Sequence, residues 1–167
     1  NNSDQVTSIS LSSGQEIEYM YDFLNRLEKM HTPAGTINYH YQSGQGFIER
    51  ELPNGIRTQY QFRPDGKLKS ISHIDKNNHV ITQYSYAYNS DGLIGIINEW
   101  TPTGEYELHY EYDEVQRLIS FIDRDGTKTG YKYDDFGNRT QVKMNGQVTE
   151  TYVYDGMGRM LAASGNL

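Results

Sequence analysis

An aromatic pair followed by a turn recurs seven times along this chain, and that recurrence constrains the fold more than any other feature. Four copies are clean: Tyr19-Met20-Tyr21-Asp22, Tyr110-Glu111-Tyr112-Asp113, Tyr131-Lys132-Tyr133-Asp134 and Tyr152-Val153-Tyr154-Asp155. Three are weaker: Tyr39-His40-Tyr41, Tyr60-Gln61-Phe62 and Tyr86-Ala87-Tyr88. The second aromatics stand at 21, 41, 62, 88, 112, 133 and 154, so the intervals are 20, 21, 26, 24, 21 and 21 residues. Self-similarity at such a period marks a repeat architecture, in which one supersecondary unit cannot bury its apolar surface alone and leans on the next. A residue type demanded in every copy serves shape before chemistry.

Two kinds of turn alternate between the aromatic pairs. The first reads Asp-x-x-Gly-Arg or a variant: Asp22 to Arg26, Asp113 to Arg117, Asp134-Asp135-Phe136-Gly137-Asn138-Arg139, and Asp155-Gly156-Met157-Gly158-Arg159. An Asp that opens a turn accepts hydrogen bonds from backbone amides just ahead of it, and Gly or Asn near the end tolerates positive φ. The second kind is a short hairpin signal, strongest at Asn54-Gly55, Asp125-Gly126 and Asn145-Gly146. These dipeptides predict two-residue type I′ turns. The segments between turns are rich in Tyr, Ile, Val and Thr, which favour strands. Strands joined by such short turns pair as antiparallel neighbours. The expectation is an all-β antiparallel meander of about fourteen strands, two for each repeat. Leu118 and Ile122 alternate with Ile119 and Phe121, so both faces are partly apolar, as expected of a sheet curved into a wall or folded against itself. Residues 1–18 lead with a half-repeat, 19–161 hold the repeats, and 162–167 trail.

Two aromatics spaced i, i+2 share one face of a strand. The expected product is a ladder of stacked rings along the sheet, joined through cross-strand aromatic contacts. The longest interval, from Phe62 to Tyr88, predicts an extended hairpin, Lys67 to Ile74 against His79 to Tyr86, whose Asp75–Asn78 tip projects beyond its neighbours.

The Tyr-x-Tyr-Asp-x-x-Gly-Arg pattern, with a Gly-containing turn about a dozen residues on, resembles the YD repeats, also called Rhs repeats. Tyr133 to Arg139 and Tyr154 to Arg159 are close matches, and the resemblance runs from about Ile17 to Leu161. It implies long strips of antiparallel sheet that spiral into a hollow shell. Bacterial members enclose a C-terminal toxin in that shell, and the teneurins of animals use a similar one for adhesion at the cell surface. Gln42 and Asn89 stand where the family has its turn Asp. No Asp-Pro dipeptide occurs, so the family's self-cleaving core motif is not carried over.

Candidate chemistry is sparse. Asp22, Asp113, Asp134 and Asp155 are conceivable as acid–base groups or metal ligands. Catalysis requires one environment that shifts a pKa, whereas this environment repeats, which favours a turn-forming Asp paired with Arg26, Arg117 or Arg159. His73 and His79 face the Asp75 turn, but a metal needs more ligands than those three supply. Asn1-Asn2-Ser3 and Asn138-Arg139-Thr140 match the glycosylation acceptor pattern and read as coincidence within turn-rich sequence. Trp100, the only tryptophan, either packs on the sheet or stacks on a ligand such as a sugar ring. No cofactor motif stands out.

Fifteen tyrosines, all but Tyr106 in or beside the pairs, suit a surface dry on one side and wet on the other. A net charge of −7 opposes a phosphate-binding surface, so nucleic acid is not an expected partner. No apolar run reaches the length of a membrane-spanning helix, and the absence of Cys excludes disulfides. The reading is a non-enzymatic structural segment of a secreted or surface protein, with further repeats and a toxin or effector domain as partners. The alternative is a carbohydrate- or protein-binding adhesion module using the tyrosine-lined face. An open meander also leaves unpaired edges near Val6–Leu11 and Met160–Ala163 that invite weak edge-to-edge self-association.

Overall fold

The computed structural model describes residues 5–42 and 47–165. Fifteen strands are present among the described residues: Ser8–Ser10 (β1), Glu16–Tyr21 (β2), Leu27–Thr32 (β3), Gly35–Gln42 (β4), Phe47–Glu51 (β5), Arg57–Phe62 (β6), Leu68–Ile74 (β7), Val80–Tyr88 (β8), Ile94–Thr101 (β9), Gly104–Tyr112 (β10), Leu118–Ile122 (β11), Lys128–Tyr133 (β12), Arg139–Met144 (β13), Gln147–Tyr154 (β14) and Met160–Gly165 (β15). They form one sheet whose spatial order is the sequence order, and no helix occurs among the described residues. The count is one above the expected two per repeat because the leading segment contributes the three-residue strand β1. Asn1-Asn2-Ser3 and the last two residues of the trailing segment lie outside the described residues.

The chain divides into two compact units, Asn1–Ser85 with Trp100–Gly104, and Tyr86–Glu99 with Glu105–Leu167. In the first, Tyr41, Ile48, Tyr60, Ile71 and Tyr84 are successive cross-strand partners, so tyrosine and isoleucine alternate along one row. In the second, Tyr110 pairs with Phe121 and Tyr131 with Val142. Val142, 8% exposed, is the one buried hydrophobic residue among those described. Most apolar contact is therefore lateral, between half-buried neighbours in the sheet.

All seven aromatic pairs have both rings half-buried and the residue between them exposed. Each pair thus lies on one face, as the period of two requires. The register shifts by one residue just before Tyr21, Phe62, Tyr112, Tyr133 and Tyr154. A bulge at this place locally increases the twist of each hairpin.

Two kinds of turn are present, but the structure corrects which signals belong to the short kind. Ten connections among the described residues close identically, starting at Leu11, Asp22, Leu52, Arg63, Asp75, Asn89, Asp113, Asp123, Asp134 and Asp155. In each, the first residue's amide donates to the carbonyl four residues on and its carbonyl accepts from the amide three residues on. The fourth residue has positive φ, from 62° at Asn25 to 86° at Gly137. This is a three-residue loop with a type I turn and a left-handed residue. Asn54-Gly55 and Asp125-Gly126 belong to it, with only Gly55 and Gly126 left-handed. Asn145-Gly146 alone, at φ 50° and 85°, has the two-residue form expected of all three. The hairpin about Asp75 does form, but its tip is held by the neighbouring turn rather than standing clear. Arg57 Nη2 donates to Asn78 Oδ1, and a Cβ on Gly55 would lie 2.9 Å from Lys76 Cβ.

Candidate functional site

The Asp turns place the motif residues. In Asp113, Oδ1 accepts the amides of Val115 (3.1 Å) and Arg117 (2.8 Å), and Oδ2 accepts Arg117 Nε at 2.7 Å. Asp22 holds Leu24 and Arg26 in the same way, and Asp155 holds Met157 and Arg159, each arginine Nε again at 2.7 Å. Asn89 achieves the two amide contacts with its side-chain oxygen, at 3.0 and 2.9 Å, which explains why the turn survives the loss of its Asp.

At Asp134 the partner is Asn138, whose Nδ2 donates to Oδ2 at 3.0 Å. Asn138 therefore takes the arginine's place, and Gly137 takes the left-handed position that Gly158 holds in the next copy. Arg139 falls one residue later, at the start of β13, where its guanidinium lies 5.7 Å from the Tyr131 ring and 5.2 Å from the Tyr152 ring. Asn138, the acceptor of the glycosylation pattern, thus has its amide engaged within its own turn.

Arg26 and Arg117 also reach the next repeat. The Arg26 guanidinium lies 4.2 Å from the centre of the Tyr41 ring, and that of Arg117 lies 4.8 Å from Tyr133. Arg117 Nη1 donates to the Asp134 carbonyl at 3.2 Å. The second tyrosine in turn donates its hydroxyl to a backbone carbonyl one strand back: Tyr21 to Val6 (2.8 Å), Tyr41 to Leu27 (2.9 Å), Tyr133 to Leu118 (2.8 Å) and Tyr154 to Arg139 (3.0 Å). Asp, Arg and Tyr thus form one linked set: Asp closes the turn and holds Arg, Arg covers the next ring, and that ring's hydroxyl caps the first residue of the strand that follows Arg.

This arrangement replaces the expected ladder of tyrosine on tyrosine. One repeat spans two strands, so equivalent rings stand about 9.5 Å apart, beyond stacking range. Ile48 and Ile71 fill the intervening strand in the first unit. In the second, Tyr110 meets Phe121 at 5.0 Å between ring centres. The tyrosine pairs Tyr19/Tyr21, Tyr39/Tyr41, Tyr86/Tyr88, Tyr110/Tyr112, Tyr131/Tyr133 and Tyr152/Tyr154 are brought to one face within their strands but not into a continuous stack.

Electrostatics follows the turn geometry. At Asp22 and Asp113, desolvation alone would raise the carboxyl, but the amides and guanidiniums of Arg26 and Arg117 outweigh it and hold both below the usual carboxylate range. The Asn138 side-chain amide leads the same lowering at Asp134, and the backbone amides of Arg159 and His79 lead it at Asp155 and Asp75. Burial pushes the Tyr41 phenol up, with Arg26 opposing. His73 and His79 do not converge: His73 Nδ1 lies 3.1 Å from Thr58 Oγ1, and His79 Nδ1 lies 3.3 Å from Asp75 Oδ2. Among the described residues no three His, Cys, Asp or Glu side chains group to hold a metal. Trp100, in β9, is 37% exposed.

Residues 112–149 match the family model for the RHS Repeat. Over 177 aligned residues the chain is 27% identical to Teneurin-1 of Gallus gallus and to Teneurin-1 of Homo sapiens, covering 96% of this chain and 6% of each relative. The chain therefore spans a small part of the length of those relatives. A crystal structure of TcdB2-TccC3-Cdc42 superposes with a TM-score of 0.55 at 16% identity, over 87% of this chain and 10% of that one. A crystal structure of TcdB2-TccC3 superposes with a TM-score of 0.53 at 13% identity. At these identities the structural likeness is one of fold.

Proposed function

We propose, from the premise that the chain is built of Rhs/YD repeats, that residues 1–167 act as one array within a larger repeat-built wall that encloses or displays a toxin or effector domain. The observation that carries this reading is the linked set of Asp, Arg and Tyr. Asp22, Asp113 and Asp155 spend their carboxylates on their own turns, Arg26 and Arg117 cover the next ring, and Tyr21, Tyr41, Tyr133 and Tyr154 spend their hydroxyls on neighbouring carbonyls. Groups committed to holding one repeat against the next are not available to a substrate, so the role is mechanical rather than enzymatic. The parent protein is then secreted or displayed at a cell surface, as the family resemblance implies.

Partners follow from the edges. Strands β1 and β15 are exposed along their whole length, and each has one unpaired side in the sheet order. Further repeats of the parent polypeptide are the natural occupants, and in their absence the isolated chain pairs weakly edge to edge. Sedimentation at rising concentration in low and high salt tests the latter: association that strengthens with salt agrees, because screening relieves repulsion between chains of charge −7. A strict monomer in every condition contradicts it.

Carbohydrate binding through half-exposed rings, with Trp100 as the stacking group, is the second reading, favoured only by that residue's exposure. A glycan array distinguishes the two. No retained glycan supports the wall; a retained glycan lost on Trp100→Ala supports the adhesion module. For the wall itself, the parent gene is expected to continue into more repeats and a non-repeat effector domain, and that domain should resist protease until the repeats are disrupted. An effector domain cut equally fast with and without the repeats would overturn encapsulation.

A further inference from the structure

Val115, Phe136 and Met157 occupy the third residue of the Asp113, Asp134 and Asp155 turns, all within the unit that contains Glu105–Leu167. They are 67%, 82% and 82% exposed. The turn does not ask for an apolar residue there. At the same place Asn54 accepts the Ile56 amide at 3.1 Å, Asp65 the Lys67 amide at 3.2 Å and Asp125 the Thr127 amide at 3.0 Å. In the three turns the opening Asp already accepts that fifth-residue amide, so nothing in the turn fixes the third residue, and Val115, Phe136 and Met157 set large apolar groups in water, which marks an interaction surface when such groups lie together.

They do lie together. The turns join β10 to β11, β12 to β13 and β14 to β15, and the intervening strands pair antiparallel in order, so all three turns stand at one end of the sheet. Successive tips are two strands apart, about 9.5 Å. Within the three turns, Asp113, Glu114, Asp134, Asp135 and Asp155 face only Arg117 and Arg159, a balance of −3. An anionic membrane is repelled by that sign. A helix advances about 10.5 Å in seven residues, so apolar side chains at i, i+7 and i+14 match the three tips, and basic side chains beside them match the acids. We infer that this row is a docking surface for a basic amphipathic helix of a partner protein.

The test uses the full chain and an 18-residue synthetic peptide with leucine on one helical face and lysine on the other, followed by calorimetry. Binding should saturate, weaken at least tenfold in the triple variant Val115→Asn, Phe136→Asn, Met157→Asn, and weaken with added salt. The triple variant should keep the parent's circular dichroism, since asparagine suits this position. Were it to misfold, Phe136→Asn alone should weaken binding at least threefold. A counterpart peptide with glutamate for lysine should not bind. Equal binding by parent and variant, equal binding of the acidic peptide, or binding to phosphatidylserine vesicles in place of the peptide would each overturn the proposal.

Discussion

Tyr133 tests the linked set most sharply, because its ring and its hydroxyl have separable partners. Tyr133→Phe removes the hydroxyl that donates to the Leu118 carbonyl at 2.8 Å and leaves the ring beneath Arg117. The lost bond should cost about 1 kcal/mol. Tyr133→Ala also removes the ring. A fully buried aromatic truncation costs about 3–5 kcal/mol; Tyr133 is half-buried, so the expected total is about 2.5–3 kcal/mol. Arg117→Gln in the two backgrounds completes a cycle, and its coupling to the ring should be about 0.5–1 kcal/mol, the size of a half-exposed cation–π contact. Tyr19→Phe is the control: Tyr19 is the first ring of its pair and donates no hydroxyl bond among the described residues, so its midpoint should barely move. Urea denaturation followed by near-ultraviolet circular dichroism reads all of these. Equal losses for Tyr133→Phe and Tyr19→Phe, or zero coupling to Arg117, would refute the linkage.

Acid should loosen the turns. The carboxyls of Asp22, Asp75, Asp113, Asp134 and Asp155 are lowered in the folded chain, so their contribution is complete above the unfolded value of about 4 and is lost as pH falls through the folded values. The urea midpoint should hold steady from pH 7 to about 5 and drop below about 4; a midpoint that is flat or rising down to pH 3 contradicts this. Gly35 has φ +123°, and an added Cβ would lie 2.7 Å from Pro53 Cβ. Gly35→Ala should therefore cost about 3 kcal/mol, against about 1 kcal/mol for Gly66→Ala, where the space is open. Glu99, 3% exposed, pairs with Arg124, whereas Arg63 and Asp65 pair with both side chains more than two-fifths exposed. Arg124→Ala should cost more than Arg63→Ala, because the first removes a partner from a buried carboxylate and the second loosens an exposed pair, both read from urea midpoints.

The period of the aromatic pairs was enough to read the meander, the strand alternation and the one-sided placement of the rings, because a spacing of two residues has a single meaning in a strand. What stayed hidden were contacts between repeats. The intervals locate equivalent tyrosines but not the strand that separates them, so the role of Ile48, Ile71 and Phe121 as spacers was not legible. Arg139 looked like the motif arginine because Asn138-Arg139 offers two candidates at adjacent positions, and only the carboxylate geometry assigns Asn138 to Asp134. Asn-Gly and Asp-Gly suggest a two-residue turn wherever they occur. At Asp123–Thr127 a signal for the five-residue closure was present, an Asp three residues ahead of Gly126 as in the other Asp turns, whereas Leu52–Ile56 closes the same way with no Asp to announce it.

The central claim is that the Asp, Arg and Tyr sets make these repeats self-propagating, so adding one should lengthen and stabilise the array. Inserting a second copy of residues 139–159 after Arg159 adds one repeat in register, since Arg139 and Met160 both begin the strand that follows an Asp turn. If each repeat is held by its neighbours, stability accumulates with repeat number. The measurement is the urea unfolding free energy and cooperativity of the extended chain beside the parent. The expected result is a single transition with a higher midpoint and a larger m-value. A lower midpoint, or a separate early transition for the inserted segment, would contradict it.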